Sequence, residues 1–548
     1  MIFKKFFRKL LYIATLAFSL SIQGATDTPY NVLFIIADDL NDYVNGLGGH
    51  PQSKTPNLDQ FAKTAVSFTN AFSNAGWCAP SRASLHTGIA PWHSGLAMKS
   101  ISKHKGLKNN FTLSDYFKKN NYYSIGTGKT EHGVEHKNWT KHYYGPLYGP
   151  FWKNEDDSVG AHPNVKSPFA DRGRVDGSFG ILEAAPEKGL GEKAHWVSGP
   201  AEGSKMGTVW SKNINAKTEY DPKRGYMTPD KVNADLVKGW FEGEGDELKA
   251  PFYLNLGFVR PHTPMHAEQK HFDHFPIEDV QLTAGQLETI KNFKPLDDYS
   301  KLEKPYKKVH ELYASYGDLT TAFKLYNQAY LASVHAADEN IGRVLDALEN
   351  SKYKDNTIVI ITSDHGWHNG EHLQIGKNST WEEACRIPLL IRVPGLAKRN
   401  SQCNVPVSLM DIYPTLVDLC RLKGKTYKKG GQPLSGHSLK PLLINPSKEK
   451  WDGDEIAVTA IMKQWISDKQ QQTMSVEGIV EKSLKYSMRS KRYRFVYVSQ
   501  DEMHLYDLKN DPIEKYDLAQ KPEYKEVISK FKSKLKKMKG DKSNFVSI

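Results

Sequence analysis

Three stretches of the chain carry unbroken apolar runs that stop abruptly at polar residues. "NVLFIIADD" (31–39) ends in two aspartates, "PFYLNLGFVRPH" (251–262) in Arg-Pro-His, and "NTIVIITSDHG" (356–366) in Ser-Asp-His-Gly. A strand without polar alternation is covered on both faces, as in a parallel sheet. Helical periodicity lies between such runs. In "YLASVHAADENIGRVLDALEN" (330–350), Val334, Ile341, Val344, Leu345 and Leu348 share one helical face. Strands alternating with helices predict an α/β fold, with a large mixed, mostly parallel sheet between helices.

That pattern spans residues 26–424. From about residue 425 the apolar runs shorten and alternate, as in "KRYRFVYVS" (491–499), and a basic helix ends the chain. This predicts a smaller C-terminal α+β subdomain over 425–548. Residues 143–225 are rich in Gly, Pro, Lys and Asp with weak periodicity, and read as a loop-rich insertion that helps shape a substrate cleft. Residues 1–25 differ again: Lys4, Lys5, Arg8 and Lys9 precede "LLYIATLAFSLSI", and Gly24-Ala25 follow. That order is an export signal. Its apolar run of about 13 residues is shorter than the ~20 a membrane helix needs. The expectation is a chain exported to the periplasm or beyond, without stable membrane insertion.

Composition narrows the class. The chain has 548 residues, 39% hydrophobic and 25% charged, which suits a folded protein with more than one core. The formal charge of +12 is inflated by the leader and by the C-terminal "KFKSKLKKMKG". Such runs are ordinarily solvated faces, so nucleic-acid binding is not expected, while a diffuse positive field suits a polyanionic substrate. The four cysteines, Cys78, Cys385, Cys403 and Cys420, are too few for a disulfide framework and leave a Cys403–Cys420 bridge open.

The chemistry gathers at the strand ends. Asp38 and Asp39 follow one apolar run, Asp364 and His365 another. Neighbouring side chains of a regular strand point to opposite faces, so both aspartates meet at one point only where the backbone turns. Carboxyl ends of parallel strands are where ligands bind in open α/β sheets. Carboxylates ~4 Å apart repel by about 4 kcal/mol per pair at an effective dielectric near 20. A hard cation removes that repulsion, and the oxygen-rich set points to Ca²⁺ or Mg²⁺, with His365 an unusual partner. Cys78, in "WCAPSRASLHTG" (77–88), stands just ahead of a helix whose first turn holds Pro80. The helix N-terminus and Arg82 favour negative charge there.

"CAPSRASLHTG" meets the signature C-x-P-S-R-x-x-L-x-T-G at every specified position. The chain thus resembles the type I sulfatases of the alkaline-phosphatase-like superfamily, most closely the iduronate-2-sulfatase-like bacterial polysaccharide enzymes. "LYDLKNDPIEKYDLA" (505–519) is also similar to sulfatase C-terminal segments. The resemblance implies that Cys78 is converted to formylglycine by a formylglycine-generating or anaerobic sulfatase-maturating enzyme. A hydrated gem-diol then attacks sulfur. It implies that Asp38, Asp39, Asp364 and His365, with the modified Cys78, ligate calcium. Arg82, Lys129 and Lys377 bind sulfate oxygens, His262 protonates the leaving alcohol, and His132 assists sulfate release. In "NYYSIGTGK" (121–129) the chain departs from the commoner Gly-Tyr and threonine, in a strand lead-in.

The expected activity is hydrolysis of sulfate esters on a sulfated carbohydrate, such as ulvan, carrageenan or a glycosaminoglycan. Phosphate or phosphonate monoester hydrolysis at the same site, non-catalytic glycan binding and a thiol hydrolase using Cys78 are the competing readings. His368 and His372 of "DHGWHNGEHLQ" (364–374) are read as substrate-pocket or surface residues, and Trp77 and Trp367 as stacking or packing residues.

Overall fold

The structure, a computed structural model, describes residues 28–540 apart from 45, 97, 99–100, 134, 155–157, 184–194, 198–219, 222–224, 227, 245–247, 449–450 and 465–472. The leader at 1–25 and much of the 143–225 insertion lie outside the described residues.

Eight strands form the main sheet: β1 (Asn31–Ala37), β2 (Val66–Phe68), β3 (Tyr123–Gly128), β4 (Lys141–His142), β5 (Phe252–Phe258), β6 (Thr357–Ser363), β7 (Leu389–Arg392) and β8 (Ser401–Cys403). Their spatial order is β8-β2-β7-β6-β1-β5-β3-β4. β4, β3, β5, β1 and β6 run parallel, whereas β7 runs against both its neighbours, β6 and β2. All three strands foreseen from apolar runs are central members of this sheet.

β1 shows why no polar alternation was needed. Leu33, Ile35 and Ala37 enter one core, while Val32, Phe34 and Ile36 enter another on the opposite face. On the first face lies a long helix, Leu319–Glu349, whose Val334, Ile341, Val344, Leu345 and Leu348 are all buried. Asp318 starts that helix by accepting the Thr321 N–H at 2.7 Å. The opposite face is closed partly by the helix Ile412–Leu419 and the turn holding Leu439, Leu442 and Leu443. Residues just past 424 therefore still pack on the main sheet.

A second sheet, antiparallel and four-stranded, begins at Ala457: β9 (Ala457–Met462), β10 (Leu484–Arg489), β11 (Tyr493–Tyr497) and β12 (Met503–Asp507). The final helix packs Phe531 and Leu535 against it, and Ala75, Ala90 and Trp92 join the same core from the main layer. The described parts of 143–225 are not bare loop. They contain short strands, including Phe151–Lys153 paired with Val159–Gly160 and with His195–Val197. The four cysteines are free, so no Cys403–Cys420 bridge forms; Cys403 and Cys420 instead pack as apolar groups under the sheet. No described helix is long and apolar enough to cross a membrane.

Two glycines set the spacing that the site depends on. Gly257 of β5 pairs with Gly128 of β3. A Cβ on Gly257 would sit 2.0 Å from the Lys129 backbone. Gly257→Ala is expected to cost about 1–3 kcal/mol through overpacking, seen as a lower urea midpoint with unchanged slope.

Candidate active site

Four neighbouring parallel strands deliver the site from their carboxyl ends. β3 leads into Lys129, β5 into His262, β1 into Asp38-Asp39, and β6 into Asp364-His365. The turn after β1 resolves the problem of two consecutive aspartates. Asp39 has φ 61°, a left-handed backbone that aspartate tolerates better than most residues. That reversal lets both carboxylates face one point. The Tyr330 hydroxyl fixes it by donating to the Asp39 carbonyl at 2.7 Å, and the Asp39 N–H reaches Asp364 Oδ1 at 3.3 Å.

Cys78 is the first residue of the helix Cys78–Thr87, with Trp77 as its N-cap, one position further into the helix than expected. Ser81, one turn on, donates to the Asp364 carbonyl at 2.6 Å and ties the helix to β6. Arg82 bridges the two acidic pairs: Nε donates to Asp364 Oδ2 at 2.8 Å and an Nη to Asp38 Oδ1 at 3.3 Å. The Lys129 ammonium donates to Asp38 Oδ2. Lys377 Nζ lies 2.7 Å from Asp39 Oδ1 and 3.0 Å from Cys78 Sγ. His365 places Nε2 3.2 Å from Cys78 Sγ. Its Nδ1 faces the Gly366 carbonyl at 3.0 Å, which can only accept, so Nδ1 carries the proton. His262 likewise spends Nδ1–H on the Thr263 carbonyl and turns Nε2 toward Asp39 and Asp38, at 3.6 and 3.9 Å.

Charge and burial set the ionisation. Burial alone would raise the Asp38 carboxyl, but Lys129, His262 and Arg82 hold it well below the usual carboxylate range. Asp39 rises to about 6, pushed by burial and only partly offset by Lys377. Burial and then the Asp38 charge push the Cys78 thiol up to about 12, so the encoded thiol is a poor nucleophile near neutrality. His262 falls well below its ordinary value through burial and the Lys377 charge.

These residues fit a divalent cation. Asp38, Asp39, Cys78 and His365 present ligand atoms within 4.8 Å of one another, and all four side chains are buried. Asp39 Oδ2 has no hydrogen-bond partner. Asp364 stands beside this set, satisfied by Arg82 and by backbone N–H groups. His132 is exposed beyond Lys129, near enough to feel the charges of Lys129, Asp38 and Arg82.

The cluster opens into a cavity of about 620 Å³ that includes Trp77, His262, Trp367 and Lys377. Sequence reasoning missed several of its walls: Asp176, Lys304, Lys308, Trp381, Lys463 and Lys485. It also missed Tyr148, whose ring lies 4.9 Å from Lys129 Nζ and against His262. None belongs to a motif, so only tertiary packing reveals them. His368 corrects an expectation. It is wholly buried rather than pocket-lining or surface, and His372 lies behind the cavity, stacked on Trp381.

An open α/β sheet that gathers carboxylates, cations and a helix-borne cysteine at its strand ends defines a hydrolase built for anionic esters. The chain belongs to the sulfatase family: residues 30–422 match the sulfatase family model. Residues 370–541 match the model for the C-terminal region of N-sulphoglucosamine sulphohydrolase. It is 30% identical to a sulfatase of Formosa agariphila over 94% of this chain and 88% of that protein. It is 28% identical to mouse iduronate 2-sulfatase over 71% of this chain and 64% of that protein. The fold is shared with the phosphonate monoester hydrolase of Agrobacterium radiobacter (TM-score 0.61, 22% identity, 93% of this chain and 95% of that one).

Replacing Arg82 strands two buried carboxylates. Arg82→Met is expected to cost about 3–5 kcal/mol, measured as the loss of unfolding free energy in urea.

Proposed function

We propose that this protein hydrolyses sulfate esters on a sulfated carbohydrate, with a nucleophile made from Cys78. The observation that carries the reading is the position of Cys78 Sγ, 3.0 Å from Lys377 Nζ and 3.2 Å from His365 Nε2, in a pocket of carboxylates and cations. The thiol is disfavoured as a nucleophile by burial, which fits a position converted to formylglycine by a maturation enzyme. When present, formylglycine supplies a hydrated aldehyde oxygen as nucleophile, and a divalent ion supplies charge stabilisation for the sulfuryl oxygens. Asp38, Asp39, His365 and the residue-78 oxygen would hold that ion, with Asp364 completing the acidic wall. Their hard oxygen donors favour Ca²⁺.

The chain's own side chains divide the remaining tasks. Arg82 holds Asp38 and Asp364 in place. Lys129 and Lys377 flank residue 78 and would face the sulfuryl oxygens as charge develops. His262 Nε2 points into the cluster; in the doubly protonated ring, a form that the negative charge of a bound sulfate ester favours, it would hand a proton to the departing alcohol. His132, at the exposed side, would take up a proton during sulfate release.

A carbohydrate substrate is supported by the cavity itself. Indole rings of Trp77, Trp367 and Trp381 supply apolar faces, while Lys304, Lys308, Lys463 and Lys485 supply cations for further sulfate groups. Iduronate 2-sulfatase and N-acetylglucosamine-6-O-sulfatase, two similar proteins, are named for sulfated sugars, which supports a substrate of that class. The apolar, basic leader supports export to the periplasm or beyond.

Cys78→Ala is expected to abolish turnover of aryl sulfate, with the fold intact by circular dichroism; undiminished activity would refute the proposal. The tryptic peptide holding residue 78 should weigh about 18 Da less than encoded when the enzyme is active. Aryl sulfate should be cleaved in preference to aryl phosphate, and the reverse preference would move the chain to phosphoester chemistry. Activity lost to chelation should return with Ca²⁺ more fully than with Mg²⁺.

A further inference from the structure

A second cluster of ligating side chains lies behind the cavity and plays no part in the chemistry above. His368 follows the acidic turn after β6, His372 lies in the turn Glu371–Leu373, Glu383 in the turn Glu382–Cys385, and Glu514 in the segment after β12. His372, Glu383 and Glu514 present ligand atoms within 4.8 Å of one another. His372 Nε2 is 3.7 Å from Glu383 Oε2, and His368 Nδ1 is 3.9 Å from the same oxygen.

The unmet bonding at this spot is unusual. Both ring nitrogens of His368 are buried without a hydrogen-bond partner, as are His372 Nε2 and Glu383 Oε2. His368 is 0% exposed. Buried polar groups are nearly always satisfied, so three such atoms gathered at Glu383 Oε2, that oxygen itself with His368 Nδ1 and His372 Nε2, point to a ligand shared between them. The charges indicate its sign. Arg494 pairs with Glu382 and Glu514, and Arg489 with Glu382, so among the described residues Glu383 has no lysine or arginine partner. Glu371, Glu514 and Asp42 add to the negative field at Glu383. The His372 ring is held by a parallel stack on Trp381, with centroids 3.9 Å apart.

We propose that His368, His372, Glu383 and Glu514 form a structural binding site for a borderline divalent metal ion, best suited to Zn²⁺, separate from the active site. Two imidazoles and two carboxylates are a zinc-type donor set, whereas Ca²⁺ and Mg²⁺ take oxygen ligands. Ligand atoms of tetrahedral zinc lie about 3.3 Å apart, so the two histidines need to close on Glu383 by roughly half an ångström, and His368, which stands outside the group within 4.8 Å, needs to move further toward the others. The Glu514 carboxylate accepts from Arg494 and from the Glu382 N–H and still has lone pairs for a metal. The ion would clamp the segment that carries His365 and Lys377 to the C-terminal sheet.

The test uses the full-length protein, stripped with EDTA and titrated with Zn²⁺, with metal content read by inductively coupled plasma mass spectrometry. Wild type and Asp39→Asn, which weakens only the active-site set, should each retain about one equivalent of zinc. Glu383→Gln and His372→Gln, checked for native circular dichroism, should each lose zinc affinity by about tenfold or more. Zinc should raise the melting temperature of wild type and not of these two variants. Co²⁺ in the same site should give visible d–d absorption that the two variants lack. Zinc bound equally by the two variants, zinc lost only in Asp39→Asn, or no zinc bound by wild type would each overturn the proposal. In the last case, water or a proton on Glu383 occupies the spot.

Discussion

Three buried carboxylates facing three buried cations are the constraint on which this structure rests. Asp38, Asp39 and Asp364 are each fully buried, and Arg82, Lys129 and Lys377 converge on them from a helix and two loops. Removing any cation leaves charge in a low-dielectric interior, which is far costlier than the net worth of a satisfied pair. The arrangement therefore dictates the positions of the parts that carry it. β3, β5, β1 and β6 must lie side by side, the helix of Cys78 must press on β6, and the segment after β6 must fold back over β1.

The C-terminal sheet completes the site rather than decorating it. Lys463, Lys485 and Tyr506 bring its residues to the cavity wall. Arg494 reaches back to Glu382, which follows Lys377 by only five residues. The segment between β6 and β7 is thus held on one side by the parallel sheet and on the other by the antiparallel one. Positioning of Lys377 next to Cys78 depends on both layers.

Much of this was legible in the sequence because strand ends and a helix start leave local marks. Unbroken apolar runs ending at Asp38, His262 and Asp364 marked central strands and the residues that leave them. The pattern around Cys78 marked a helix N-terminus with a cation one turn on. Lys129, His132 and Lys377 were found only through a family resemblance, since an isolated lysine carries no signal of burial. Lys308, Asp176 and Tyr148 had no mark at all, because segments distant in the chain create their surroundings. His368 was placed wrongly for a related reason, whereas His372 is half-buried. Glycines around them suggested an open loop, while Glu383 and Glu514, which enclose them, come from later elements. The short strands within 143–225 escaped notice because two- and three-residue ladders have no periodicity to detect.

The location of Cys78 also sets an order of events during biosynthesis. In the folded chain Cys78 is 4% exposed, beneath His365, which follows it by 287 residues. The strands beneath it also pair at long range: Phe252, at the head of β5, donates to Asn31 of β1 from 221 residues away. Contacts of such long sequence separation close late. While the ribosome is still making the middle of the protein, "CAPSR" is therefore an accessible linear peptide without a pocket around it. Any catalyst that acts on this cysteine has a window that opens when residue 78 emerges and shuts once β6 pairs with β1. The folded enzyme then seals in whichever chemical form that window produced.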